Sequence, residues 1–206
     1  MLQYLIPFLA YVAIEPIINY FFGTAFIGYA LKTIVTAILV IYYFKRYKEI
    51  KKFKLDFPAV GLGILIFIIW ISLEGLYPRF GSPTIVNPFE FGSQLFLLIL
   101  IIKLTGMILV APLIEELFVR SFLMRIFINA DYEKVPIGKY THLSFIITVL
   151  FFGFSHSMWL PGIITGVLLN VLLYKTKSIG SCIQAHAAAN ISLAIYVLAT
   201  HNWMFW

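Results

Sequence analysis

Seven long apolar runs organise this chain, at roughly residues 2–22, 25–44, 57–76, 103–127, 142–158, 160–174 and 179–200. A helix needs about 20 mostly apolar residues to cross a hydrocarbon core roughly 30 Å thick, and each run approaches that length. Composition agrees: 62% of residues are hydrophobic and 12% charged, against about 45–50% and about 25% in a soluble domain. The chain therefore predicts an all-α fold, a polytopic transmembrane helix bundle of about seven to eight helices. With 206 residues and short connections, residues 1–206 are expected to form a single transmembrane domain, whose chemistry-bearing core is 103–200. The first run lacks a basic leader and is followed by more spans, so it reads as the first membrane helix rather than a cleaved signal. The single cysteine, Cys182, rules out an internal disulfide.

Charge orders the connections. Lys45, Arg46, Lys48, Lys51, Lys52 and Lys54 lie between the second and third runs, and the excess of Lys and Arg in cytoplasmic loops places that segment inside. Alternation then puts Arg125, Lys134, Lys139, Lys175 and Lys177 inside too. The loop bearing Tyr77, Pro78, Pro83 and Pro88, with one Arg79, falls outside, as does the tail with Trp203 and Trp206. The expectation is an integral protein of the cell (inner) membrane with a cytoplasmic N-terminus. The net charge of +6 reads as topology and contact with anionic membrane lipid; no nucleic-acid module is present.

Residues 89–128 are too long for one crossing, since 40 helical residues extend about 60 Å. With Lys103 as outer anchor and Arg125 as inner one, residues 89–102 become an outward extension or interfacial helix. Pro112 then falls inside the span, where its missing N–H should kink the helix.

Ionisable groups inside a bilayer cost at least about 2.5–3.5 kcal/mol each, so every one needs a partner, water or a function. Glu15, Lys32, Glu74, Lys103, Glu115, Glu116, Arg120, His156 and His186 lie within the runs, with Asn190 beside the last. Glu116 and Arg120, four apart, share a helix face and can neutralise each other. Glu115 points about 100° away and is left as a carboxylate suited to general-base work. His186 and Asn190 share a face of the final helix. Depths of roughly 13–21 Å from the assumed cytoplasmic ends let Glu115, His156, His186 and Asn190 meet in a cavity, expected to open to the cytoplasm. There a carboxylate would take a proton from water held by a histidine, and the remaining donors would stabilise an oxyanion. Glu15, Glu74, Lys32 and Lys103 read as snorkelling or pairing groups.

Three stretches in order, Glu115-Glu116 with Arg120, Phe152 with His156, and His186 with Asn190, resemble the motifs of the CAAX-protease and bacteriocin-processing (CPBP, or Abi) intramembrane proteases, which include the type II CAAX prenyl endopeptidases. The resemblance covers residues 111–190; the first hundred residues are similar only as hydrophobic helices. It implies that Glu115 and His156 activate water, that His186 and Asn190 polarise the scissile carbonyl, and that Glu116, Arg120 and Phe152 support them. Ser121 stands where many members carry glycine. No cofactor is expected. The alternative is Zn²⁺ held by Glu115, His156 and His186, since three ligands with an open fourth position make a catalytic zinc site; the chain has no His-Glu-x-x-His helix. The implied substrate is a membrane-anchored, prenylated or otherwise tethered, peptide or protein. Two other readings stay open: a non-enzymatic membrane scaffold or immunity protein, and a small proton-coupled transporter.

Overall fold

The computed structural model describes residues 1–23, 25–51, 54–81 and 92–205. Among these the chain is all helical: α1 (Leu2–Phe22), α2 (Ala25–Tyr43), α3 (Phe57–Ser72), α4 (residues 92–126), α5 (His142–Phe154), α6 (Trp159–Thr176) and α7 (Ile179–Thr200). The loop positions Pro83 and Pro88, and Lys52 and Trp206, lie outside the described residues.

Five helices are long and apolar enough to cross a membrane, namely α1, α2, α4, α6 and α7. The two others differ from the expected 57–76 and 142–158: α3 has 16 residues and α5 has 13. Local hydrogen bonding stops α5. Ser155 Oγ and His156 Nδ1 turn back to the Phe152 carbonyl at 2.9 and 2.7 Å, so side chains replace the next helical turn. Their outward faces are apolar throughout the bundle: Ile38, Ile41, Leu109 and Ile195 are all at least 60% exposed, as expected where the surroundings are lipid rather than water.

The long helix α4 passes Lys103 without a break, which is the outward extension among the two expected readings of residues 89–102. It continues through Gly92–Thr105, a π-helical Gly106–Val110, Ala111–Glu116, a second π-helical Leu117–Leu123 and Met124–Ile126. Its described span from Phe96 to Ile126 has 31 residues. Pro112 does not break it, because the turn before it is already widened: the Ala111 N–H bonds to Gly106 O, five residues back. In that register the Pro112 nitrogen faces the Met107 carbonyl and has no hydrogen to give. Asn190 Nδ2, from α7, donates to that oxygen instead, at 2.6 Å. A wide turn of this kind often marks a functional site.

Around α4, three pairs close the bundle: α1 with α2, α3 with α7, and α5 with α6. Gly63 sets the α3–α7 distance, since a Cβ there would strike the Ala185 carbonyl oxygen and lie 2.7 Å from Ala188 Cβ. Backbone cannot yield to such a clash. Gly63→Val is accordingly expected to destabilise the protein by about 2 kcal/mol or more, read as a lower unfolding midpoint in detergent, whereas Gly61→Ala, facing open space, should leave it unchanged.

One end of the bundle is tied by polar side chains. Asp56 caps α3 through Ala59 N (3.1 Å) and accepts from Ser181 Oγ (2.6 Å); its own N–H donates to Gln184 Oε1 (2.9 Å). Gln184 Nε2 donates to the Lys54 carbonyl (2.8 Å), and Lys177 Nζ to that of Gly138 (2.6 Å). Glu49 accepts from Tyr4 Oη at 2.7 Å and from Ser121 Oγ. Ser121, fully buried, also accepts from Arg125 Nη2 (2.8 Å), so the hydroxyl that stands in place of a glycine joins α4 to the basic loop. Burial and a hydrogen bond to Glu133 push the Tyr132 phenol in the 127–141 loop up to about 12. It therefore stays neutral as a partner for the rings of Tyr4 and Phe122, which lie edge-on at 5.9 and 5.1 Å.

Candidate active site

A cavity of about 460 Å³ sits beside the wide turn of α4, lined by Met107, Ala111 and Glu115 from α4, His186 and Asn190 from α7, and Phe152 with His156 from the end of α5. All four expected catalytic side chains reach it. They arrive there by different routes, and their partners differ.

Glu115 and His156 face each other. Their Oε2 and Nε2 atoms are 3.9 Å apart, with side chains 14% and 26% exposed, too far for a direct hydrogen bond and close enough for one water to touch both. His156 lies in the turn after α5 rather than on the helix. Its Nδ1–H donates to the Phe152 carbonyl at 2.7 Å, which fixes the tautomer and leaves the Nε2 lone pair toward Glu115. The Trp70 ring packs edge-on against this imidazole at 5.6 Å.

His186 is held otherwise. Its Nδ1 lies 2.9 Å from Glu116 Oε1, and the same oxygen accepts from Arg120 Nη1 at 3.1 Å. Glu116 and Arg120 are both fully buried. Because a carboxylate only accepts, Nδ1 carries the hydrogen and Nε2 is left for the cavity that His186 lines. A carboxylate behind an imidazole fixes the ring's orientation, so Glu116 positions His186. Arg120 is anchored in turn: its Nε donates to Asn170 Oδ1 (3.3 Å), and Asn170 Nδ2 donates to Thr148 Oγ1 (2.9 Å). Phe152 joins the two histidines, with ring centroids 4.8 Å from His156 and 5.8 Å from His186. The Arg120 guanidinium lies over the same ring at 4.2 Å.

The expected neutralisation of Glu116 by Arg120 is thus present, with His186 as a third member. Asn190 differs from the expectation in that its amide nitrogen already serves the Met107 carbonyl, leaving one of its two N–H groups for the cavity. Thr148 and Asn170 were not singled out by sequence, although polar residues inside apolar runs are the signal that would have found them. Nor was Trp70, for which no sequence signal exists. Glu15 pairs with Lys32, as a pairing reading expects, and the Lys32 ammonium also sits 4.7 and 4.6 Å from the ring centroids of Tyr11 and Tyr29. These groups and Lys103 form a further wall of the cavity.

A zinc site would need Glu115, His156 and His186 to converge on one point. Among the described residues no three His, Cys, Asp or Glu side chains are grouped in that way, although the Nδ1 bonds of His156 and His186 leave both Nε2 atoms uncommitted.

Residues 93–192 match the family described as type II CAAX prenyl endopeptidase Rce1-like. The matched stretch is just under half of the chain, and over it the chain is similar to the CAAX proteases. The matched segment contains every residue of the three motifs and begins within α4, so α1 to α3 lie outside it. No curated protein and no solved structure gives a match. Five long apolar helices mark an integral membrane protein, and the family it matches is one of proteases. The site thus holds one partly exposed carboxylate, one imidazole with its Nε2 open to the cavity and a second, carboxylate-backed imidazole.

Proposed function

We propose that this chain is an intramembrane endopeptidase that hydrolyses a peptide bond of a membrane-tethered substrate with water activated by Glu115 and His156. The reading rests chiefly on the 3.9 Å gap between Glu115 Oε2 and His156 Nε2 at the cavity wall. Water between them donates one hydrogen to the Glu115 carboxylate and the other to the His156 lone pair. As its oxygen bonds to the scissile carbonyl carbon, Glu115 takes the proton, and the carbonyl π pair moves to oxygen. The oxyanion is met by the remaining Asn190 N–H, and by His186 Nε2–H when the ring that Glu116 holds carries both hydrogens. When the tetrahedral centre collapses, the carbon–nitrogen bond breaks and Glu115 returns its proton to the leaving amine. The second hydrogen of the water stays on the new carboxyl group and then passes to the amine, so the products are a carboxylate and an ammonium, and Glu115 is restored.

The Phe152 carbonyl keeps His156 in one tautomer, and Glu116 does the same for His186, so neither ring must reorganise during turnover. The test is a quantitative survey of protein termini in host membranes, comparing native protein with Glu115→Gln at equal expression. Termini that disappear in the variant name the substrates. An unchanged set sinks the peptidase reading and favours the non-enzymatic ones.

A further inference from the structure

A water held between Glu115 and His156 gives its two hydrogens to the carboxylate and the imidazole, and one lone pair attacks the carbonyl carbon. Its second lone pair is left, and only a donor can hold it. An enclosed water typically makes about three hydrogen bonds, so a donor on that lone pair would complete its fixing. Neither the Glu115 carboxylate nor the His156 Nε2 lone pair can donate. Ser155 Oγ, beside them, spends its hydrogen on the Phe152 carbonyl at 2.9 Å.

The packing of α1 on α4 brings a donor to this place. Tyr4 stacks on Phe122 with ring centroids 5.6 Å apart, and Phe8 stacks on Phe118 at 3.8 Å with the rings 5° from parallel. Four residues forward along α1 thus answer to four residues back along α4, as in antiparallel helices. The next contact position, three residues further on each, sets Tyr11 opposite Glu115. Both residues, together with Phe152, Ser155 and His156, line the 460 Å³ cavity and also a smaller one of about 70 Å³ beside it. Of the carboxylates, Glu115 acts most strongly on the Tyr11 hydroxyl, ahead of Glu15 one turn along the same helix. The Lys32 ammonium, paired with Glu15, lies 4.7 Å from the centroid of the Tyr11 ring and steadies it. Among the described residues the hydroxyl has no hydrogen-bond partner, and it is not sealed from the cavity.

We propose that Tyr11 is a further catalytic residue, whose hydroxyl donates to the water that Glu115 and His156 activate. The assignment rests on the peptidase reading above. Three protein groups then fix the water, and its remaining lone pair is aimed at the scissile carbon. Tyr11 neither gains nor loses a proton: its O–H bonds first to the water oxygen and then to the same oxygen as the hydroxyl of the tetrahedral centre. The residue comes from α1, outside the matched stretch 93–192, so none of the three motifs marks it.

The test adds Tyr11→Phe to the survey of termini and then follows the purified variants. Their substrate is a lipid-anchored, internally quenched peptide with the sequence around a Glu115-dependent terminus. Tyr11→Phe should lower kcat by about ten- to a hundredfold, because a loosely held water is misaligned for attack. KM and the midpoints of the pH–rate profile should not move, and the unfolding midpoint in detergent should stay native, since the lost hydroxyl has no protein partner. Tyr20→Phe, on the same helix and 84% exposed, should keep the full rate. Para-aminophenylalanine at position 11 restores a donor on the same ring and should recover most of the lost turnover, and it carries the test if Tyr11→Phe folds poorly. A kcat unchanged in Tyr11→Phe overturns the proposal, as does a loss confined to KM, which would make the hydroxyl a ground-state contact. A displaced pH midpoint also overturns it, because Tyr11 would then act through Glu115 rather than on water. So does a para-aminophenylalanine protein no faster than Tyr11→Phe. Cleavage lost in Glu115→Gln and kept in Tyr11→Phe fails this assignment alone; a survey with no Glu115-dependent termini fails the peptidase reading and removes the role with it.

Discussion

Purified Glu115→Gln is expected to lose about 10³-fold in turnover, the scale on which a positioned general base contributes, with no loss of stability. The amide matches the carboxylate in shape and cannot take a proton. Glu115 is partly exposed to the cavity and, among the described residues, has no ion pair other than the 3.9 Å approach of His156, so the change removes a desolvated charge without stranding a partner. The variant should unfold at the native temperature or slightly above it. His156→Ala should lose activity on a similar scale, and the double variant should be no worse than the more severe single one, since the two groups act on one water. A fall in KM-independent turnover of less than tenfold for Glu115→Gln would remove it from the base position. An additive double variant would mean that the two groups act in separate steps.

The largest stability effect belongs to Arg120. Arg120→Leu leaves Glu116, fully buried, as a carboxylate with only His186 against it, and frees Asn170 from its guanidinium partner. Removing one member of a buried pair typically costs about 3–5 kcal/mol, because the survivor remains desolvated. Equilibrium unfolding in detergent should show a loss of that size. Glu116→Leu combined with Arg120→Leu should recover much of it, since apolar groups of similar volume replace the pair without leaving a charge. Activity should not recover, because His186 then lacks the acceptor that holds its tautomer. If the double variant regains turnover along with stability, Glu116 has no positioning role. If Arg120→Leu is as stable as the native protein, the buried triad is not what fixes α4 against α5 and α7.

Much of the site was legible because polar residues in an apolar chain are few. Glu115, Glu116, Arg120, His156, His186 and Asn190 stand out against 62% hydrophobic residues, and i, i+4 spacing correctly joined Glu116 to Arg120. The same arithmetic misjudged whatever departs from an ideal helix. Two π turns in α4 and the side-chain cap that ends α5 at Phe154 change length and phase by amounts that hydrophobic periodicity does not record. Asn190 was read as a free donor because the Met107 carbonyl it satisfies is 83 residues away in sequence and becomes an orphan only through the backbone register at Pro112.

Apolar run length and the scarcity of charge determined by themselves that this chain is a helical membrane bundle, and that a handful of intramembrane acids and imidazoles carry its chemistry. Their reason is local: each buried charge is costly wherever the helix packs. Which histidine receives a carboxylate and which carboxylate is left facing the cavity were decided by tertiary structure alone. Those depend on the relative rotation and height of α4, α5 and α7, set by close backbone approaches, π turns and long-range hydrogen bonds that no single segment encodes.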